Sequence, residues 1–262
     1  MKQILVLAGA GLSAGAGVPT FRSSDGRWQV GDDLQSALQI NEYMSKPRSR
    51  KIVWDWVRSL AGTDPEPSAA HMALKKLDDA GALLGVLTQN IDSLELKAGV
   101  DPARVWQIHG SLDKAYCVRC HASQPLSAVL DRLRIANKSG ATVAEAFDGE
   151  LRCREWNYKK GKPCNGLLKP GFVFYGEQVR QGAWNDARAA LLYADELWCV
   201  GTSLQVWPAA DLPCMAASLG KTVRVVSTGA ASVGGVGSGS WEKISKPADE
   251  ALPKLVDRVL AG

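Results

Sequence analysis

The first 22 residues constrain the fold more than any other stretch of this chain. An apolar run, Ile4-Leu-Val-Leu-Ala8, flows straight into Gly9-Ala-Gly-Leu-Ser-Ala-Gly-Ala-Gly-Val-Pro-Thr-Phe-Arg22. A run without alternation reads as a strand buried on both faces, as in a parallel sheet covered by helices. Gly9-Ala10-Gly11-Leu12-Ser13-Ala14 fits the G-x-G-x-x-G/A dinucleotide fingerprint. The first small residue allows a tight turn, the second lets backbone approach a pyrophosphate, and the third lets a helix pack on the strand. The pyrophosphate would rest on free N–H groups at that helix's N-terminus. A glycine-rich strand-to-helix turn with no ligand is the competing reading. The fingerprint also expects an acid roughly 20 residues on, after a second strand. A loop-like stretch, Ser23-Ser-Asp-Gly-Arg-Trp28, follows instead. A dinucleotide here would not be held as in a plain dehydrogenase.

At 262 residues the chain can bury a full core as one large domain, or as a large one with an insert. The net charge is +4 and the basic residues are scattered, so no stripe points to nucleic acid. No apolar run approaches the ~20 residues of a membrane span. The N-terminus imitates a secretion signal, but cleavage near Ala14 would remove the strand and turn on which the later motifs depend. The expectation is a cytoplasmic protein with reduced thiols. The six cysteines then read as a metal site plus buried thiols rather than disulfides.

Further along, Leu34 to Leu60 is helical in pattern and broken near Pro47, with Ile52, Val53, Trp56, Val57 and Leu60 on a core face. Ser68 to Ala80 is a helix with Ala70, Leu74 and Leu77 inward; its His71 reads as packed or capping rather than as a ligand. Four more strands end in small or polar residues: 82–87 in Thr88-Gln-Asn-Ile-Asp92, 105–108 in His109-Gly110, 195–200 in Gly201-Thr-Ser203, and 222–226 in Ser227-Thr-Gly229. In open parallel α/β sheets that edge binds ligands, so five such ends point to one site. Residues 125–137 are helical in pattern, 232–240 are low-complexity, and a closing helix follows Pro247.

Residues 112–180 interrupt this rhythm and carry four of the cysteines. Cys117-Val-Arg-Cys120 is a CxxC knuckle, and Cys153 and Cys164 follow. Four thiolates close a tetrahedral zinc shell with no open position for water, a structural site. The second pair is wider than the usual CxxC. A redox CxxC with unrelated thiols is the alternative, and His121 is a rival ligand. Cys199 and Cys214 read as core.

In this order the motifs resemble those of the Sir2 family, the sirtuins, over nearly the whole chain, from about Ile4 to Leu255. Gly9 to Ala14 with Gly17-Val-Pro-Thr-Phe-Arg22 resembles the first signature, Thr88 to Asp92 the second, and His109-Gly110 the catalytic pair. The four cysteines resemble the zinc site, Leu168-Lys-Pro-Gly-Phe-Val-Phe-Tyr-Gly-Glu177 the substrate segment, and Gly201-Thr-Ser-Leu-Gln-Val-Trp-Pro208 the third cofactor motif. The resemblance implies an α/β fold: a Rossmann-like parallel sheet with helices on both faces (residues 1–30, 68–111 and 178–262). It adds an inserted small domain, helical over 31–67 and zinc-bound with the substrate segment over 112–177. NAD and an acyl-lysine peptide would enter the cleft between them, and the acyl group would pass from lysine to ADP-ribose with release of nicotinamide.

By the same resemblance NAD is held by Gly9, Ala10, Gly11, Ser13, Ala14, Thr20, Phe21, Arg22, Trp28, Gln89, Asn90, Ile91, Asp92, Gly201, Thr202, Ser203, Ser227, Thr228, Gly229 and Ala248. His109 and Asn90 are the expected catalytic residues, with His109 as general base on a ribose hydroxyl and Phe21 excluding water. Asn can bond both ways, while Asp92 accepts an amide N–H. Phe172, Val173, Phe174, Tyr175, Gly176 and Glu177 would pair with the peptide as an added strand. Members preferring succinyl carry a Tyr and an Arg where this chain has Val57 and Leu60, so neutral acyl groups are expected. Ser227 replaces a usual Asn, and Lys246-Pro-Ala248 a usual Gly-Asp-Ala. An NAD hydrolase or ADP-ribosyltransferase is the second reading, and a non-catalytic NAD or ADP-ribose sensor the third. Expected partners are acyl-lysine proteins or peptides, with no direct nucleic acid and no membrane.

Overall fold

A computed structural model describes residues 1–20, 31–138, 143–229 and 240–261 of the chain. In chain order the elements are β1 (Ile4–Ala8), α1 (Asp32–Ala37), α2 (Ile40–Ser45), α3 (Pro47–Ala61), α4 (Ala69–Asp79), β2 (Leu83–Thr88), α5 (Leu94–Lys97) and β3 (Val105–Gln107). Then come β4 (Gly110–Cys117), β5 (Ser123–Pro125), α6 (Leu126–Lys138), α7 (Val143–Glu150), β6 (Trp156–Asn157), β7 (Lys162–Pro163) and β8 (Leu168–Phe172). The chain closes with α8 (Gln181–Tyr193), β9 (Glu196–Val200), α9 (Leu212–Ser218), β10 (Thr222–Val226), β11 (Trp241–Ile244) and α10 (Ala248–Leu260). They form two compact units, one of residues 1–29, 65–110 and 179–262, the other of residues 30–64 and 111–178.

The first unit is a six-stranded sheet in the order β11-β10-β9-β1-β2-β3, with every pair parallel. It is a doubly wound order whose switch point lies between β1 and β9. All five residues of β1 are buried, as its unbroken apolar run requires. Ile4, Val6 and Ala8 pack with Leu74 and Leu77 of α4 and Leu252 and Leu255 of α10. Leu5 and Leu7 turn to the other face, against Ala187 and Leu191 of α8 and Leu212 and Ala216 of α9. Helices therefore cover both faces. Among the described residues no helix is long and apolar enough to cross a membrane.

The second unit holds α1 to α3, α6, α7, a three-stranded sheet β5-β4-β8 and the hairpin β6–β7. The 34–60 pattern resolves into three helices rather than two, because the chain breaks at Leu38–Gln39 as well as before Pro47, which takes the first turn of α3. Val53 and Val57 are buried as expected, and Trp54 is fully buried too. The indole of Trp54 donates to Tyr43 Oη (2.8 Å), which donates to the Leu168 carbonyl (2.7 Å). Arg50 is paired with Asp148 and donates to the carbonyl of Tyr43 (2.8 Å), tying α2 and α3 to α7.

One local expectation is overturned. Among the described residues up to Thr20 the glycine turn leads into two 3-10 turns and no α-helix: Ala10–Leu12 and Ala14–Ala16, the second ended by Gly17 in a left-handed conformation (φ 78°) with Pro19 two residues on. In the chain by itself, residues 173–177 form no strand. β8 stops at Phe172, and a turn closed by Glu177 N on the Phe174 carbonyl follows (3.0 Å). Only Tyr175 keeps a bridge, to Gln39. Residues 230–239, most of the low-complexity stretch, lie outside the described residues.

Candidate active site

In a parallel sheet every strand delivers its C-terminal residue to the same edge. Here that edge carries Gly9 after β1, Gln89 after β2, His109 just past β3, Gly201 after β9 and Ser227 after β10. The first contact is backbone on backbone. Gly11 N donates to the Gly201 carbonyl (2.8 Å) and Gly9 N to that of Val200 (2.9 Å). A Cβ on Gly11 would lie 2.7 Å from Gly201 Cα, and one on Gly201 (φ 64°) 2.2 Å from Leu12 N. The glycines are needed because the two loops at the switch point touch, a reason distinct from the pyrophosphate approach read from the fingerprint.

Side chains knit this edge together. Gln89 Nε2 donates to Thr202 Oγ1 (2.9 Å). Asn90 N donates to Thr88 Oγ1 (3.1 Å), and Asn90 Nδ2 to both the Gly9 carbonyl and Ser13 Oγ (3.1 Å each). Asp92 accepts from Leu94 N (3.0 Å), starting α5. His109 Nδ1 lies 3.1 Å from the Gln89 carbonyl. A carbonyl only accepts, so Nδ1 carries the proton and Nε2 is bare in the neutral ring. Burial pulls the His109 pKa below the ordinary imidazole value, partly offset by the bond to Gln89. The ring is half-buried, not sealed.

Gly9, Ser13, Gln89, Asn90, Thr202 and His109 thus share one hydrogen-bonded cluster. Ser203 and Gly201 stand beside Thr202, and Ala10, Gly11 and Ala14 beside Ser13. Ile91 and Thr20 are half-buried. Ser227 accepts from Gly229 N (3.2 Å), with the exposed Thr228 between them. Ala248 is packed into the sheet core at the start of α10. Phe21, Arg22 and Trp28 lie outside the described residues.

NAD fits the groups present on this edge. Among the described residues the backbone N–H groups of Ala10 and Ser203 have no acceptor, which suits a diphosphate. Two more groups stand beside this edge: His71, already read as packed or capping, and Glu95. His71 both caps α4 and reaches Ser13 Oγ (3.4 Å). Glu95 is fully buried with neither carboxylate oxygen hydrogen-bonded, and burial first, then Asp92, pushes its pKa up to about 7.

In the second unit Cys117, Cys120, Cys153 and Cys164 place their sulfurs within 4.8 Å of one another. The pairs Cys117–Cys164 and Cys120–Cys153 are 3.8 and 3.7 Å apart. A tetrahedron with Zn–S of about 2.3 Å has an edge of about 3.8 Å, so the four thiolates fit zinc. Arg119 N and Cys120 N point at Cys117 Sγ (3.4 and 3.5 Å). A Cβ on Gly166 would crowd that sulfur at 2.5 Å. His121 stays out of the cluster; with φ 60° it makes the turn that closes the knuckle.

The segment after β8, where the substrate was expected, is braced from within. Lys169 Nζ donates to the Phe172 carbonyl and to Glu177 Oε2, which also accepts from Phe174 N (2.8 Å each). Tyr175 N donates to the Leu38 carbonyl (3.0 Å), and the Tyr175 carbonyl accepts from Ile40 N (2.9 Å). None of these bonds uses Val173. Phe172 and Phe174 stack at 4.7 Å, and Trp56 meets Phe172 edge-on at 5.7 Å. Gly176 takes a left-handed conformation (φ 85°).

Fold and edge chemistry together define a dinucleotide-binding α/β protein carrying a tetrathiolate metal module. The sequence profile of the Sir2 family matches residues 9–208. The chain is 31% identical to NAD-dependent protein deacetylase 2 of Streptomyces coelicolor, over 97% of this chain and 96% of that protein. It is 34% identical to NAD-dependent protein deacylase 2 of Archaeoglobus fulgidus, covering 98% and 91%. A solved Sir2 structure with a p53 peptide and NAD+ superposes with a TM-score of 0.76 at 26% identity, covering 99% of this chain and 94% of that one. The chain belongs to the Sir2 family.

Proposed function

We infer that the protein is an NAD-dependent protein-lysine deacylase that moves the acyl group of an acyl-lysine side chain onto ADP-ribose and releases nicotinamide. The observation that carries this is the bare Nε2 of His109, held by Gln89 in the same cluster as Asn90 and the glycine loop. A non-catalytic sensor has no use for a base so placed. NAD supplies the ribose carbon from which nicotinamide departs and to which the acyl oxygen attaches.

The chain's own residues do the rest. Asn90 and Asp92 orient the nicotinamide riboside, the N–H groups of Ala10 and Ser203 hold the diphosphate, and Ser227, Thr228 and Gly229 lie towards the adenosine half. His109 takes a proton from a ribose hydroxyl at Nε2, activating it for attack on the acyl carbon. The backbone around Val173 receives the peptide as an added strand. Zinc is structural, since four thiolates complete its shell. The Sir2 structures solved with a propionylated peptide and with a p53 peptide and NAD+ support this division of labour. Val57 is buried and Leu60 half-buried on α3, so neither offers a cation to an acidic acyl chain. We place the protein in the cytoplasm, where its thiols stay reduced.

The test is mass spectrometry of an acyl-lysine peptide panel incubated with NAD+. Equal amounts of nicotinamide and O-acyl-ADP-ribose are expected, with acetyl-lysine turned over faster than succinyl-lysine. Fast nicotinamide release without peptide would mean an NAD hydrolase. Thermal stabilisation by NAD+ with no turnover on any peptide would mean a sensor.

A further inference from the structure

His71 is fully buried, 58 residues from Ser13 in sequence, and both of its ring nitrogens are engaged. Ser68 N lies 3.2 Å from Nδ1. A backbone N–H only donates, so Nδ1 accepts and Nε2 carries the ring's one proton; Ser68 Oγ, 3.0 Å from the same nitrogen, then donates to it as well. Nε2–H then donates to Ser13 Oγ across 3.4 Å, a long bond. Asn90 Nδ2 donates to that same Oγ and to the Gly9 carbonyl. Every direction in this chain is fixed, because it begins at a group that only donates and ends at one that only accepts. Both lone pairs of the Ser13 hydroxyl are filled, so its proton points away from Asn90. Both protons of the Asn90 amide are spent, and Oδ1 has no partner among the described residues.

We propose that His71 is a positioning residue for the reaction: the Gly9 carbonyl sets which face the Asn90 amide offers, and His71, acting through Ser13, supplies the second support that holds that amide in place with its carbonyl oxygen towards the nicotinamide riboside. This rests on the deacylase reading above. An amide held by Gly9 alone would swing about that single bond, and a ribose hydroxyl or carboxamide N–H would meet its acceptor oxygen out of line. Burial keeps the imidazole neutral against the pull of Asp92 and Asp249, and a neutral ring is what the relay needs, since a protonated Nδ1 would face the Ser68 N–H. The relay joins three separate stretches of chain: the α4 cap, the glycine loop and the end of β2.

The test combines His71→Leu, which removes both ring nitrogens, with His71→Gln, whose amide oxygen accepts from Ser68 N and whose NH2 reaches Ser13. Ser13→Ala cuts the relay without touching α4. The relay predicts that His71→Leu lowers kcat roughly tenfold, the effect of losing about 1.4 kcal/mol of orientation, with peptide KM within about twofold. His71→Gln should recover most of that loss. Combined with Asn90→Ala, His71→Leu should cost nothing further. Without any turnover, 15N NMR should show a protonated Nε2 and bare Nδ1 on His71, and slow exchange of the Asn90 side-chain protons that speeds up in Ser13→Ala. A protonated Nδ1, a full additional loss in the double variant, or His71→Gln no better than His71→Leu at equal melting temperature would each overturn the relay. A parent enzyme that makes no O-acyl-ADP-ribose would instead defeat the deacylase reading, and the NMR measurements would still decide the relay.

Discussion

His109 shows how one backbone carbonyl sets a side chain's chemistry. The Gln89 oxygen accepts from Nδ1–H, which leaves the lone pair on Nε2, and burial lowers the ring's pKa. A lowered pKa keeps the base form present to more acidic pH, so the acid limb of kcat/KM should fall below about 6.5. His109→Ala should cut turnover roughly 10²–10⁴-fold while NAD+ binding, measured by calorimetry, largely survives. Glu95 is the opposite case, a carboxyl buried beside Asp92 with its pKa raised to about 7. A raised carboxyl pKa means the folded protein holds its proton longer than the unfolded chain does. Stability is therefore lost as pH climbs from the ordinary carboxyl range to about 7. Relative to the parent, Glu95→Gln should gain roughly 2–3 kcal/mol between pH 5 and pH 8; a pH-independent difference in urea midpoints would show that Glu95 is ionised throughout.

Side chains give the segment after β8 its shape. It is held by the Lys169–Glu177 brace, and Lys169 also sits 4.8 Å over the Phe174 ring. Lys169→Met should raise peptide KM about tenfold or more, as a charged hydrogen bond of roughly 1.5–3 kcal/mol is lost. Binding of NAD+ alone should be unaffected. The knuckle behaves differently, because its order comes from metal. Native mass spectrometry should find one zinc per chain, and Cys164→Ser should lose it. Structural zinc contributes on the order of 10 kcal/mol to small zinc peptides. Chelation should therefore expose amides of residues 117–167 to hydrogen exchange while β1, β2 and β9 stay protected. The turn at residues 174–177 after β8 was not legible in the sequence. What breaks the strand is Lys169 and Glu177 taking backbone groups of Phe172 and Phe174, an arrangement that no local pattern encodes.

At the scale of the whole molecule the sheet was legible, since five apolar runs ending in small or polar residues are visible in the chain and all five are strands. Trp241–Ile244 was not, being a short edge strand with little periodicity. Nor was the fit of Gly11 to Gly201, because neither residue's neighbours announce the other. His71 was legible as a cap but not as a relay, since Ser13 lies in another stretch. One charge cluster spans the sheet. Glu196 is buried between Lys2 (2.7 Å), Trp198 Nε1 (2.8 Å) and Arg224 (2.7 Å), and Arg224 also pairs with Glu242. Burial alone would raise its pKa, but bonds from Arg224, Lys2 and Trp198 prevail and hold it at about 2. A lowered carboxyl pKa stabilises the fold at neutral pH, and that gain fades as pH falls towards about 2. Glu196→Gln should cost roughly 2–3 kcal/mol at pH 7, and its gap from the parent should narrow by pH 3 in thermal melts.

The same cluster ties Lys2 to Glu196, 194 residues later. Strand β1 takes a central place in the sheet and pairs with β9. At about 5–20 residues per second, a ribosome needs roughly 10–40 s to deliver β9 after β1 has emerged. Over that interval one edge of β1 is bare and sticky, so the nascent protein should draw on chaperones, and synthesis arrested before residue 196 should yield chains that aggregate.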